Sequence, residues 1–586
     1  MKDKNKLIGV FCVTLALLWM FSLSKQQAGS PTKTATVLQQ TSKAPTDKPL
    51  ATPIKGAEQA STEKPSIFTI ENDVIAVHIS NIGGGIQSVT LKNHKQNQKA
   101  PDPIAFNTEC DIPALSIIDD NGLNNSYNHG RFEVISQSST EIQLIQQINN
   151  GLSVVRKYSL FPSDSKQHDG HVIASIVHLR NTSPQPIDLG TCSLFLGIMP
   201  PTPSDVTGEY LNFGCYNGKK DRFVKIRDFQ GSSGFLGLGK KQPQSLIISS
   251  EPIVWGSIKN QFFTAILTPE TPTCGYSIFP MPVQMDTSKK QEEGIAAAVS
   301  FHPGILHPNH TYTLSSDFYV GPKDFSRLSR LGHDQSHIMQ FGFFGLISEA
   351  LLRLSQIIHS IIPNWGWTII ILTILIKACL WPLTNAQVRS SKRMAKIQEP
   401  LKLLKERYKN SPQKLQQETL KLFRENKVNP ASGCLPILIQ IPIFFGLYYM
   451  LRTSSDLRFA HFLWIQDLSL PDTIAHIGYF PINILPFIMG ATMIWQMHST
   501  PMPTMDNRQK MMFKVMPIVF LLCCYNFPSG LVLYWTVQNL LTIIQQYTIS
   551  RIKDEETGVS VHKGEKRTLS NSHLNKNKRR SNNVRS

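Results

Sequence analysis

The sequence lacks most of what a catalytic chain displays. Its 17 histidines are scattered, with no H-E-x-x-H pair or comparable cluster that would hold a metal. Its nine cysteines show no zinc-site spacing. No serine, cysteine or carboxylate constellation suggests covalent or acid–base catalysis. GFLGLGKK, Gly234 to Lys241, stops short of a phosphate-binding loop. Lys241 stands where Ser or Thr would hold magnesium, so a glycine-rich surface loop explains the segment. No internal repeat is visible, which counts against transporters built from repeated halves. No catalytic residue, cofactor or metal is therefore expected.

Acidic residues are also short: 41 Asp and Glu face 59 Lys and Arg, a formal charge of +18. Much of the excess lies in residues 385–430 and after Arg551. A basic excess suits nucleic acid or anionic lipid headgroups. Beside long apolar runs, membrane topology is the better reading. Large apolar residues are nearly missing from 25–65, a Ser-, Thr-, Pro- and Lys-rich stretch that reads as a flexible linker. Helical periodicity is nearly missing from Ile67 to about Phe318. DVIAVHIS, GGIQSVTLKN, FEVISQ, EIQLIQQI and GLSVVRKYSLF there read as short strands. Gly83-Gly84-Gly85 reads as a turn or bulge. A large β-sandwich over 66–325 follows. Cys110, Cys192, Cys215 and Cys274 fall in this region and allow up to two disulfides of unreadable pairing. Cys12, Cys379, Cys434, Cys523 and Cys524 sit in apolar runs as small hydrophobes.

What is present is membrane-like. The chain of 586 residues is too long for one domain. MKDKNK precedes an apolar run from Leu7 to Leu23. The poor small-residue site in SKQQAGS favours an uncleaved anchor, 1–24, over a signal peptide. Its basic start places the N-terminus in the cytoplasm and the sandwich across the membrane. Residues 341–362 carry Phe343, Ile347, Ala350, Leu354, Ile358 and Ile361 at helical spacing, an amphipathic interfacial helix. The core, 363–548, then holds spans at 365–384, 435–451, 481–498, 512–527 and 529–547, six with the anchor. Prolines within them point to a packed or water-lined bundle. The basic segments 385–430 and 549–586 both fall on the cytoplasmic side. Within 386–427, Met394, Ile397, Leu401, Leu404 and Tyr408 repeat as a narrow seam. Ser411-Pro412 then offers an N-cap and a first-turn proline. Leu415, Thr419 and Leu422 continue a shorter seam, completing an antiparallel helical hairpin.

Lys377 sits inside ILTILIKACLWPLTNAQ, an apolar run. A charge near the bilayer centre costs several kcal/mol on insertion scales. At 100° per residue, Thr373, Lys377 and Thr384 fall within about 40° of one another. Tyr534, Gln538 and Gln545 share a face in the last span; Thr492, Gln496 and Gln440 add polar groups in others. Two readings compete. Lys377 lies about 9 Å of helix rise from Leu383 and snorkels to the interface, the other polar groups serving as helix glue. Or the stripes line a hydrated groove in which Lys377 holds a positive charge.

These residues closely resemble the YidC/Oxa/Alb family of membrane protein insertases. KACLWPLTNAQ is similar to the family's second-span end. VNPASGCLPILIQIPIFFGLYYML, Val428 to Leu451, resembles its third span, and NFPSGLVLYWTVQNLLTIIQQ its final hairpin. FYVGPKDFSRLSRLG, WGSIKNQFFTAIL and VVRKYSLFP resemble the large periplasmic domain of Gram-negative members. The resemblance implies a polytopic α-helical membrane protein with a five-helix insertase core and an all-β, mutarotase-like periplasmic domain without established catalysis. It implies an inner-membrane insertase and chaperone for nascent membrane proteins, in contact with lipids, working alone or with the Sec translocon. Lys377 matches the groove's positive position, usually Arg in the family. Thr373 and Trp535 match groove-lining and client-contacting positions. The hairpin 386–427 resembles the cytoplasmic region needed for activity, and the basic tail suits ribosome docking. Together with the polar stripes read above, Thr384, Gln440, Thr492, Gln496, Tyr534 and Gln538, the expected groove takes in Lys377, Thr373 and Trp535. A polytopic transporter or channel is the alternative. An anchored sugar-binding or epimerising enzyme would leave five spans unexplained.

Overall fold

The computed structural model describes residues 65–551 except 97–101, 109, 119–129, 164, 166–167, 203–204, 206–207, 232–241, 285–290, 386–393, 395–396, 427–434, 479 and 500–506. The expected anchor, the linker, the glycine-rich 234–241 segment and nearly all of the tail lie outside the described residues. The chain forms two compact units, one of residues 1–343 with Arg452–Asp456, the other of 344–451 with 457–586.

The first unit is antiparallel β. A nine-stranded sheet runs, in spatial order, Asp221–Lys225, Asn212–Tyr216, Trp255–Lys259, Phe263–Pro269, Thr311–Pro322, Val172–Asn181, Leu152–Leu160, Glu141–Ile148, Glu133–Gln137. A five-stranded sheet runs Ile247–Ser249, Gly275–Gln284, Gln291–Phe301, Cys192–Met199, Ile117–Ile118. A four-stranded sheet spans Ile67 to Phe106. Period-two patterning explains the layering: along Glu141–Ile148, Ile142, Leu144 and Gln146 turn inward while their neighbours do not. Side chains from all three sheets share one core, including Val77, Leu144, Phe213, Ala297 and Phe318.

Gly83 and Gly84 take left-handed φ of 73° and 62°. A Cβ on Gly84 would meet Arg156 Cδ at 2.9 Å, so the turn admits only glycine there. That closeness has a purpose. The buried Arg156 donates to Leu115 O at 2.7 Å and to the Tyr158 hydroxyl at 3.1 Å, and Tyr158 donates to Gly84 O at 2.8 Å. Cys110, Cys192, Cys215 and Cys274 are thiols in this structure, none of them disulfide-bonded. Cys192 and the residue before Gly275 flank the same intervening strand on opposite edges, a spacing across two strand gaps of about 10 Å that no disulfide closes.

The second unit is helical. Helix α1 belongs to the first unit, Phe325–Arg330; those that follow are α2 (Gly345–Ile361), α3 (Trp365–Cys379), α4 (Gln398–Arg407), α5 (Pro412–Glu425), α6 (Leu435–Thr453), α7 (Leu485–Ser499), α8 (Asn507–Cys524) and α9 (Ser529–Arg551). In α2, Phe343 before it and Leu346, Ile357 and Ile361 face outward, while Ser348 and Ser355 are buried. Along α4, Ile397 is buried, Leu401, Leu404 and Tyr408 are half-buried, and the lysines are exposed. Ser411 stands at the N-cap of α5 with Pro412 following, yet its side chain accepts no cap bond. Its carbonyl accepts the first bond of the helix, from the Leu415 N–H at 3.0 Å.

The start of one expected span is corrected. Residues 481–483 form a strand, Phe480–Asn483, paired with Thr473–Ile477, and α7 begins only at Leu485. The β-branched Ile482 and the proline at 481 favour extended backbone. The 365–384 segment is helical apart from a turn at Leu380, with helix again over 381–385; Pro382 has no N–H to donate to the carbonyl four residues back. Among the described residues no helix is long and apolar enough to cross a membrane. Fifteen-residue α7 extends about 22 Å, short of a ~30 Å hydrocarbon core. The 23 residues of α9 are long enough, but Gln538, Asn539, Gln545 and Gln546 lower its hydropathy.

At the end of the sandwich, Asp169 joins three groups. It accepts from the His171 backbone N–H at 3.0 Å and from Arg327 Nη1 at 2.9 Å, with His171 Nδ1 at 2.9 Å. Burial pushes its carboxyl up, but the His171 hydrogen bonds and the Arg327 charge outweigh this and hold it well below the usual range. A depressed carboxyl stabilises the fold above its unfolded pKa, and that contribution fades as pH falls. Asp169→Asn should therefore lower the melting temperature of the β domain at pH 7. The gap from wild type should narrow below about pH 4. Thermal melts at pH 7, 5 and 3 check this, and a gap independent of pH would show that the charge is not what Asp169 contributes.

Candidate functional site

The site is built from two helices that start on one loop. Ser529, at the head of α9, donates through Oγ to Asp467 O at 3.0 Å, and Gly530 N–H donates to Leu468 O at 2.9 Å. Asn364 caps α3 by accepting from Trp367 N–H at 3.2 Å, and its amide reaches His461 O at 3.4 Å. Gly366 permits the contact: a Cβ there would meet Phe462 at 2.1 Å. Both helices thus leave residues 460–470 together. Lys377 lies about 18 Å along α3 from Trp365, and Thr542 about 20 Å along α9 from Ser529. Equal depth brings them face to face.

Lys377 Nζ donates to Thr542 Oγ1 at 2.9 Å, and Thr542 donates onward to Gln538 O at 2.7 Å. Lys377 is only 5% exposed. Its amine turns inward to α9 and does not run along the helix to the interface, so snorkelling is not the conformation adopted. Among the described residues it has no acidic partner and no second acceptor, leaving donor positions unused.

α9 carries the other polar contacts. On one side Gln440 of α6 donates to the Tyr534 hydroxyl at 2.5 Å, and Gln538 donates to Gln440 Oε1 at 3.4 Å. The Gln538 Oε1 is buried without a partner among the described residues. Toward α3, Gln545 donates to Thr384 Oγ1 at 2.6 Å and to Asn385 Oδ1 at 3.0 Å. Toward α7, Asn539 donates to Thr492 Oγ1 at 3.2 Å.

Of the nine residues singled out, Lys377, Thr384, Gln440, Thr492, Tyr534 and Gln538 therefore join polar contacts along α9. Thr373 does not: fully buried, it donates to Ile369 O of its own helix at 2.6 Å. Trp535 faces aromatics instead, with Phe444 at 5.0 Å edge-on and Phe520 at 4.3 Å. Gln496 is half-buried, four residues beyond Thr492. Sequence reasoning missed Thr542, Asn539 and Asn385. Thr542 was findable, since it lies four residues after Gln538 and three before Gln545 on the same stripe. Asn539 lies off that stripe and carried no signal. Among the described residues no group of His, Cys, Asp and Glu is arranged to hold a metal.

Two family models match the chain: the YidC periplasmic domain over residues 67–354 and the 60Kd inner membrane protein over 357–556. A membrane protein insertase YidC from Methylobacillus flagellatus is 29% identical over 92% of this chain and 96% of its own. One from Shewanella sp. (strain MR-7) is 29% identical over 93% of this chain and 97% of its own. A crystal structure of active YidC insertase with its first transmembrane domain resolved is 16% identical. It covers 83% of this chain and 95% of that one at a TM-score of 0.32.

The Lys377–Thr542 bond should be energetically coupled. Thr542→Val should cost about 1–3 kcal/mol with Lys377 in place, since a buried charge loses its acceptor. In a Lys377→Met background the same change should cost much less. Thermal unfolding of the four variants in one detergent checks this; equal losses would mean the two side chains act independently.

Proposed function

The chain belongs to the YidC family of membrane protein insertases, of the type with a large periplasmic domain, and we propose how its helical unit does that work. It inserts proteins into the inner membrane, and its clients are nascent membrane proteins. In our reading α3, α6, α7, α8 and α9 cross the bilayer with the N-terminal apolar run, the residues flanking the shorter helices making up the rest of the ~30 Å core, and both chain ends lie in the cytoplasm. Supporting this are the large apolar side chains that α3, α7 and α8 turn outward, Leu375, Phe487, Trp495, Ile518 and Leu522 among them. The outward apolar face of α2 suits the membrane interface.

The polar contacts along α9 then line a groove that admits water, and Lys377 is its positive charge. The single observation that carries this is a buried ammonium whose one bonded acceptor among the described residues is a threonine hydroxyl. A carboxylate on the hydrophilic end of a passing segment gains from such a charge. At 4 Å and an effective dielectric of about 20, the attraction is about 4 kcal/mol. That gain offsets the cost of bringing a short polar segment into the bilayer. The aromatic cluster of Phe444, Phe520 and Trp535 gives the client's apolar face a surface to slide along toward lipid. The hairpin of α4 and α5 receives the client on the cytoplasmic side. The basic tail meets ribosomal RNA, and larger clients pass through the Sec translocon.

The test is rescue of a bacterial strain depleted of its own insertase, supplied with wild type, Lys377→Arg, Lys377→Ala or Lys377→Glu. Translocation of a small single-spanning client is scored by protease protection at matched protein levels. Wild type and Lys377→Arg should insert the client, while Lys377→Ala and Lys377→Glu should lose most of the activity. If all four insert it equally, the charge has no role in the groove.

A further inference from the structure

The strands Thr473–Ile477 and Phe480–Asn483 form a two-stranded ribbon immediately before α7. Such a ribbon is at best marginally stable alone in water. This one also turns apolar side chains outward: Ile474, Ile477 and Phe480 are 52%, 72% and 60% exposed. Gly478, with φ of 62°, makes the turn at its tip.

The base of the ribbon is held hard. Tyr525, just past α8, donates its hydroxyl to Pro481 O at 2.6 Å and stacks on Phe480 with centroids 5.4 Å apart. Asn483 donates its side-chain amide to Tyr525 O at 2.8 Å. On the other strand, Thr473 donates to Asn483 Oδ1 at 2.7 Å. Asp472 accepts from the Leu485 N–H at 2.6 Å and from Trp464 Nε1 at 3.2 Å. A clamped base beneath an exposed apolar tip is a shape fixed in advance for something apolar.

The sequence says which apolar surface. From Thr473 to Met505 there is no Asp, Glu, Lys or Arg. The ribbon therefore continues the uncharged character of α7 without a break, and it lacks the charged rim of a protein-binding patch. Its two free edges still present unpaired backbone groups, which hydrocarbon does not tolerate but the headgroup region does. We propose that the ribbon is embedded in the interfacial layer of the bilayer, on the far side from the cytoplasm, with Ile474, Ile477 and Phe480 reaching the upper acyl chains. It holds the adjoining ends of α7 and α8 at a set depth. The inference rests on the reading that α7 spans the membrane.

The test is photocrosslinking of the full chain in native membranes. The photoreactive residue p-benzoyl-phenylalanine replaces Ile477, Phe480 or, as a control on the outward face of α7, Trp495. Adducts are identified by mass spectrometry. Phospholipid adducts at all three positions are expected. Lipid adducts at 495 with protein adducts, or none, at both 477 and 480 would overturn the ribbon's placement while leaving the spanning helix intact. Absence of lipid adducts at 495 as well would overturn the spanning reading, and the ribbon's placement with it.

Discussion

An ammonium in an apolar helix must meet an acceptor, and the helical unit is arranged around that requirement. Lys377 is satisfied by a hydroxyl on α9 at matching depth. The match exists because both helices begin on the same loop, held by Ser529, Gly530 and Asn364. A one-residue slip of α9 would rotate Thr542 by about 100° around its axis and remove the acceptor. Once the register is set, Gln545 meets Thr384, Gln440 meets Tyr534, and Asn539 meets Thr492. The polar line on α9 and the acceptor for Lys377 thus share one cause, the common loop from which the two helices start.

The β domain shows what buried cations look like when they serve structure. Arg156 reaches a backbone carbonyl and a tyrosine hydroxyl deep in the core. Lys259 donates to Ile338 O and Gln340 Oε1, tying the segment that leaves the sandwich to its sheet. Burial, with Lys323 close by, pushes Lys259 well below an ordinary lysine. Arg327 is neutralised by Asp169. Each of these has two polar partners or a counter-charge. Among the described residues Lys377 has neither, and that difference sets it apart from the cations that hold the β domain together.

Much of this was legible before any coordinates. Alternating patterns such as EIQLIQQI announce strands because one face of each must be buried. The stripe of Tyr534, Gln538 and Gln545 announces a polar helix face for the analogous reason at a period of 3.6. The helical pair at 398–425 was visible in its narrow seam. Three things were not visible. The direction of the Lys377 side chain depends on a partner 165 residues away, and no local pattern encodes that. Thr373 shares the stripe yet satisfies itself on Ile369 O, as threonine in a helix commonly does. The strand that separates Cys192 from Cys274 lies between them only through the sheet's strand order.

The choice of lysine at 377, where the resemblance to the family leads one to expect arginine, fits the partner it has. A guanidinium is a planar fork that pairs best with a bidentate acceptor. Thr542 offers one oxygen, already donating to Gln538 O. A compact ammonium takes that single acceptor and keeps its remaining donors free in direction. It can therefore attract a carboxylate from several approaches without demanding one geometry, and release it as readily. In the groove proposed above, attraction without fixed orientation is what lysine supplies; an arginine would keep the charge and add a preference for bidentate poses.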